Sequence, residues 1–418
     1  MLTKSRLPDR MPAGERPQQV HTDPGVPLRI WMVNLVALDE GGGDRQHQLG
    51  LMHAWSDAGH DVRMISPRVK DVSAVPNHLR SRLLLSPNLR EVGLPPSLNT
   101  LLQVPMLVRQ RFSFQPDVVY TRVNMLTPVL VAACRALGFY VVTEHNSWLK
   151  LERGARGGHP AVAVFEDKSQ VLAARWSQMS RTVTKGIADR IHENGVPRNR
   201  LYYIGNGTDI GQFHPIQRSE ALAEFGLDPH KTYLGFIGNI MPWHGVETAV
   251  AAFKILAPSD PQLELLIVGD GPQREELESR VRVDGLADRA HFLGRLSADR
   301  ANAAINCFDI ALLPLSERYN VALGFSSTKL RDYAAAGRLV VCGHLPGNIE
   351  LRDKGWLFTH IPDDPSSLAE AIRERLADRS AWPAASCAAR AYAEKHFAWE
   401  KIVEQIIDVI RSAQNQAR

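Results

Sequence analysis

The chain has 418 residues, 44% of them hydrophobic and 22% charged, which suits two domains of ordinary size without disulfide staples. A formal charge of +4 is too small to mark nucleic acid as a partner, and the most apolar stretch, 128–143, is broken by Arg135, which argues against a membrane span. Four cysteines, Cys134, Cys307, Cys342 and Cys387, stand singly, a pattern of buried thiols in a reducing compartment rather than a zinc or redox motif.

Residues 1–27, rich in Pro, Gly, Asp and Arg, read as a disordered lead with no apolar core of signal-peptide length. The run 28–38 (LRIWMVNLVAL) has the continuous apolar character of a strand buried on both faces. A glycine triplet follows, then a helix over 44–58 ended by Gly59 and a strand over 61–67. Strands are predicted at 117–122, 139–144, 181–184 and 200–204, with a helix over 125–137. Residues 206–215 (NGTDIGQFHP) are dense in turn formers and mark a join. Beyond it, strands are predicted at 233–238, 263–269, 290–293, 310–314, 339–342 and 356–359, with helices starting near His244, Gln273, Ala298, Thr328 and Asn348. Alternating strands and helices in two series predict an α/β protein of two facing Rossmann-like domains with the ligand cleft between them. The expected division is 28–212, on the acceptor side, and 213–395, on the donor side, with 396–418 as a helix bracing both.

Ligands of open parallel sheets bind beyond the carboxyl ends of the strands, so five loops carry the candidate chemistry. In the first, Gly42, Gly43 and Arg45 allow close backbone approach at a helix start, although a plain strand–helix turn has the same composition. In the second, Gly269 and Gly271 precede a helix opening with Glu275 and Glu276, which suits a pocket floor rather than a phosphate clamp. The third holds Asn239, His244 and Gly245, and the fourth holds Ser327, Thr328, Lys329, Leu330 and Asp332, hydroxyls and a lysine at a helix start. The fifth is Glu144, His145 and Asn146 at a strand end. Neither a nucleophile triad nor a metal motif of known spacing is present, and no G-x-G-x-x-G follows the first strand.

Taken in order, GGGDR, TEHN, IGNGTDIGQFHP, GFIGNIMPWHGVETAVAAF, LLIVGDGPQREEL, HFLGRL, DIALLP, STKLRDYAAAGRLVVC and FAWEKI resemble the retaining nucleotide-sugar glycosyltransferases of family four (group 1). That resemblance implies the B-type glycosyltransferase fold, a nucleotide-diphosphate sugar donor, UDP-linked as the family-level expectation, and no obligatory cofactor or metal. It implies that Gly42, Gly43 and Arg45 lie against the donor phosphates or acceptor, and that His145 lines the sugar pocket. Asn239 and His244 stand where relatives commonly carry an arginine and a lysine on the diphosphate. Lys329 and the amides after Ser327 would hold the diphosphate, Asp332 replaces a ribose-binding glutamate, and Arg295 sits near the base. Gly324 falls where a further glutamate is usual, which reads as a subgroup. Catalysis is assigned to His145 and Lys329, and Glu144 and Asn146 are acceptor-side candidates.

A sugar phosphorylase, a nucleotide-sugar epimerase and a non-catalytic partner on the same fold stay open. The acceptor is expected to be a small molecule, a glycan or a lipid-linked sugar, in polysaccharide or natural-product assembly. Residues 78–113 carry Arg80, Arg82, Arg90, Arg109 and Arg111 among leucines, either a helix with a solvated basic face or a contact with an anionic membrane. The expected location is cytoplasmic, with peripheral attachment at the inner membrane face as an option.

Overall fold

The computed structural model describes residues 26–38, 43–71, 75–110, 112–155, 157–320, 324 and 326–416. Gly42 and all but the end of the expected lead fall outside them. Strands β1 (Arg29–Val33), β2 (Asp61–Pro67), β3 (Leu83–Ser86), β4 (Val118–Arg122), β5 (Val141–His145), β6 (Met179–Thr182) and β7 (Leu201–Tyr203) form one parallel sheet in the order 3-2-1-4-5-6-7. A second parallel sheet runs 10-9-8-11-12-13, from β8 (Thr232–Ile237), β9 (Leu263–Val268), β10 (Ala290–Gly294), β11 (Ile310–Leu313), β12 (Leu339–Gly343) and β13 (Leu357–His360).

Strand periodicity explains the layers. Along β1, Ile30 and Met32 enter one apolar cluster, with the helix Gly43–Asp57, while Trp31 and Val33 enter the other, with Leu107, Leu130 and Val131. Both faces are covered, so the strand is apolar throughout. It ends five residues earlier than the apolar run suggests, because the Asn34 side chain donates to the Val36 carbonyl at 2.7 Å and turns the chain out of the sheet. β3 lies inside the basic segment 78–113, whose described residues form a short strand, three single-turn helices (Asn77–Arg80, Leu89–Val92 and Pro96–Leu98) and the helix Asn99–Gln110 rather than one helix. Near Asn348 the expected helix is only a 3-10 turn, Ile349–Lys354, closed by Gly355 in the left-handed region.

The chain passes between the sheets twice, and the two crossings hold each other. Thr208 bridges to Ala398, its amide donating to the Phe397 carbonyl at 2.8 Å and its carbonyl accepting from Trp399 at 3.2 Å. The closing helix, Trp399–Gln416, puts Trp399, Ile402, Val403, Ile406, Ile407 and Ile410 into the first domain's core, so it seals that domain more than it braces both. Trp399 lies between two glycines: a Cβ on Gly50 would sit 2.3 Å from its ring and one on Gly207 2.5 Å from it. Gly207→Ala should therefore cost about 1–3 kcal/mol by overpacking. Gly154→Ala, in the helix Leu149–Ala155 with nothing within 4 Å of the added carbon, should instead gain about 0.5–1 kcal/mol. Denaturant titration of the two variants checks the contrast.

Candidate functional site

Each sheet reverses its strand order once, between β1 and β4 and between β8 and β11, the places where open parallel sheets take their ligands. In the second domain the loop after β8 is shaped by close backbone contact. A Cβ on Gly269 would sit 1.9 Å from the Gly238 carbonyl oxygen, so these two loops touch only because that position is bare; Gly271 lies beside Ile240 in the same seam. Gly245 turns left-handed into the helix Val246–Leu256, and Leu315, a non-glycine residue at φ 53°, donates its amide to the His244 carbonyl at 3.0 Å.

The fourth loop ends in the helix Thr328–Ala335, where Ser327 is the N-cap, its hydroxyl accepting from the Leu330 amide at 3.3 Å. The turn before it is held by buried Arg331, which donates to the Ser327 carbonyl at 2.6 Å and to the Ser326 hydroxyl at 2.9 Å. Lys329 reaches across to the third loop, its Nζ 3.0 Å from His244 Nε2. Burial lowers the Lys329 ammonium to about 8, against the pull of Asp332. Asp332 accepts from the Thr208 hydroxyl at 2.6 Å, and burial raises its carboxyl to about 7 in spite of that bond.

The first-domain residues are held more tightly. Glu144 is fully buried; it accepts from His47 Nε2 at 2.7 Å and from Arg181 Nη1 at 2.6 Å, and also bonds to Tyr120 and Asn146. Burial alone would raise its carboxyl, but His47 and Arg181 outweigh that and hold it well below the usual range. Glu144 therefore has no surface to offer an acceptor; it supports Asn146, whose Oδ1 accepts from Asn206 at 3.3 Å. His145 is also buried, with Gln170 Nε2 3.4 Å from Nδ1 and Thr143 Oγ1 3.2 Å from Nε2. Burial lowers its imidazole to about 3, so it is neutral, and orienting a sugar would mean exchanging one of those bonds.

Arg45, Thr328 and Asp332, from opposite domains, line one cleft of about 290 Å³ together with Gly207, Thr208 and Trp399. His145, Asn239 and Lys329 do not line it. Gly43 opens its helix facing free space, Asn239 is exposed, and Arg295 is exposed, 3.9 Å from Asp270. Sequence reasoning missed Arg181, Arg331, Thr208 and Trp399. An arginine within a strand buried on both faces was the available signal for Arg181, since such a charge demands a partner nearby.

Comparison with known proteins matches residues 41–212 to the model "Glycosyltransferase Family 4" and residues 231–378 to the model "Glycosyl transferases group 1". The D-inositol 3-phosphate glycosyltransferase of Rhodococcus jostii (strain RHA1) is 25% identical over 274 residues, 62% of this chain and 58% of that protein. A GDP-mannose-dependent alpha-(1-6)-phosphatidylinositol monomannoside mannosyltransferase of Mycobacterium tuberculosis (strain CDC 1551 / Oshkosh) is 24% identical over 221 residues, 51% of this chain and 57% of that protein. The chain thus spans less than two thirds of the length of these curated relatives. Among solved structures, Anabaena HepE in complex with UDP-glucose superposes with a TM-score of 0.71 at 19% identity, over 92% of this chain and 100% of that one.

The buried ion pair sets a stability test. Arg181→Met should cost about 3–5 kcal/mol, because it leaves the Glu144 charge uncompensated. Adding Glu144→Gln should recover part of that loss, and a double-mutant cycle by denaturant titration measures the coupling. Since the folded-state pKa of Glu144 is depressed, its contribution is present above the unfolded carboxylate range and lost as pH falls through and below it. Glu144→Gln should therefore flatten acid denaturation below about pH 5.

Proposed function

Because the chain belongs to the group 1 glycosyltransferases of family four and has their B-type fold, we propose that it transfers a sugar from a nucleoside-diphosphate sugar to a hydroxyl acceptor. The observation that carries this reading is the meeting of Lys329, at the start of a capped helix, with the glycine-shaped loop after β8 at the second sheet's reversal point. Free amides of that helix start and one ammonium suit a leaving diphosphate. Asp332 is the candidate for the ribose hydroxyls, Arg295 for the rim beside the base, and Gly43 with Arg45 for the facing wall.

The reaction we propose retains the anomeric configuration. The bond from the anomeric carbon to the diphosphate oxygen breaks as the acceptor oxygen attacks from the same face, and the acceptor's proton passes to the departing oxygen. His145, neutral throughout, supplies at most an uncharged hydrogen bond. Stabilisation by Lys329 and backbone amides requires no cofactor, so activity should survive EDTA. UDP is the proposed carrier, supported by the likeness to a protein solved with UDP-glucose; GDP is the alternative that the mannosyltransferase relative raises.

For the acceptor we propose a lipid-linked sugar at the inner face of a membrane, met from the cytoplasm. No helix among the described residues is long and apolar enough to cross a membrane. The stretch 78–113 holds five arginines against one glutamate, a net +4 that equals the formal charge of the whole chain. On the helix Asn99–Gln110, Leu101 (49% exposed) and Val108 (40%) lie seven residues apart, two helical turns, on the solvent side, and Phe112 beyond the helix is 85% exposed. Asn99 and Gln103 tie the start of that helix to the loop after β1, donating to Leu35 and Asn34 carbonyls at 3.2 and 2.6 Å.

Two measurements test these proposals. In a thermal-shift panel of UDP, GDP, ADP and dTDP, one nucleotide at about a hundred times its Kd should stabilise the protein by about 2.7 kcal/mol, a shift of roughly 2–4 °C. No shift with any of them would favour a non-catalytic partner. Co-sedimentation with vesicles containing phosphatidylglycerol should show binding that Leu101→Asp with Val108→Asp abolishes; equal recovery with neutral vesicles, or no binding, would remove the membrane proposal.

A further inference from the structure

The third and fourth loops meet at one contact whose chemistry is fixed by geometry. His244 is buried, and its Nδ1 lies 2.5 Å from the Asn239 carbonyl oxygen. A carbonyl only accepts, so Nδ1 carries the proton. Burial, and next the charge of Lys329, push the His244 imidazole well below its ordinary range, so Nε2 is bare and its lone pair accepts from Lys329 Nζ at 3.0 Å.

The lysine stem is confined as well. A Cβ on Gly238, at φ 139°, would sit 2.0 Å from Lys329 Cε, so the stem fills the space that this glycine leaves open. Nζ lies 5.7 Å from the Phe236 ring centroid, over its face. An ammonium has three donors, and His244 uses one, which leaves two for a ligand at the helix start. The titratable groups facing Lys329 are His244, from the turn Pro242–His244, and Asp332 on its own helix.

Resting on the proposed donor site, we infer that His244 is a neutral positioning residue that aims Lys329 at the diphosphate and does not itself hold phosphate. Two positions that could have carried charge, 239 and 244, instead supply a carbonyl and an imidazole whose task is to orient a cation borne by another element. From the third and fourth loops the grip then draws on the charge of Lys329. With Lys329 lowered to about 8, that charge is lost as pH rises through its pKa, so diphosphate affinity falls on the alkaline side while nucleoside affinity does not.

The test compares UDP with uridine, by calorimetry, from pH 6.5 to 9.5. His244→Leu should weaken UDP by roughly ten- to a hundredfold and leave uridine within about twofold. It should also move the alkaline loss of UDP affinity to lower pH, because the ammonium has lost its acceptor. His244→Gln, which can donate to the Asn239 carbonyl and accept from Lys329, should restore UDP affinity to within about threefold. Lys329→Met should lose UDP affinity without an alkaline step, and carries the same discrimination should His244→Leu not fold. A parallel fall in uridine affinity, or UDP affinity unchanged in His244→Leu, overturns the positioning role while leaving the donor site standing. Wild-type protein that binds none of UDP, GDP, ADP and dTDP overturns both.

Discussion

A guanidinium sealed from water must find an acceptor for each of its five N–H groups and a charge to balance its own. Arg181, in the middle of β6 and fully buried, meets both conditions. It donates to the Ile204 carbonyl at 3.0 Å, to Tyr120 at 2.9 Å and Glu144 at 2.6 Å, to the Gly205 carbonyl, and to Asn206 Oδ1 at 3.0 Å. Three of those acceptors belong to the crossing between domains. The exit path from the first sheet is thereby set by where one cation can be satisfied.

The rest follows along the chain. With 204–206 fixed, Gly207 passes under Trp399 and Thr208 pairs with Ala398, so the outgoing and returning strands become one two-stranded crossing. Thr208 then reaches Asp332, and Asn206 reaches Asn146. The residues closest to the proposed donor and acceptor subsites are thus bonded to the connector between the domains. On the proposed reading, a ribose taking hydroxyl contacts at Asp332 would compete with the Thr208 hydroxyl, and so with a bond to the crossing between the domains.

Much of this was legible in the sequence because both sheets are parallel and covered on both faces. Continuous apolar runs and Gly-rich turns mark twelve of the thirteen strands, and the turn-rich stretch 206–215 marks the join. β3 escaped because LLLS is short and lies among arginines, where composition describes a surface better than a strand. The site was legible as loops but not as contacts. Ser327, Lys329 and Asp332 stand out at a helix start, whereas Glu144 looks like a site residue until Arg181 is placed against it, 37 positions away. Pairing across strands is a property of register, and register is invisible until the sheet order is known.

The electrostatics of the third and fourth loops also tie their mechanics to their backbone. His145 and His244 are neutral by burial, and Asp332 is raised to about 7, so Lys329 is the charged group whose placement the loops themselves control. On the proposed reading, a loop pair that offers one such cation to a diphosphate would draw further stabilisation from oriented amides, whose strength depends on fixed direction rather than on net charge. The bare-backbone contact of Gly269 with Gly238 and the left-handed Leu315 bonded to the His244 carbonyl are the features that fix direction in these loops. Each costs conformational freedom, and both constrain how the loop after β8 presents its amides and its histidine.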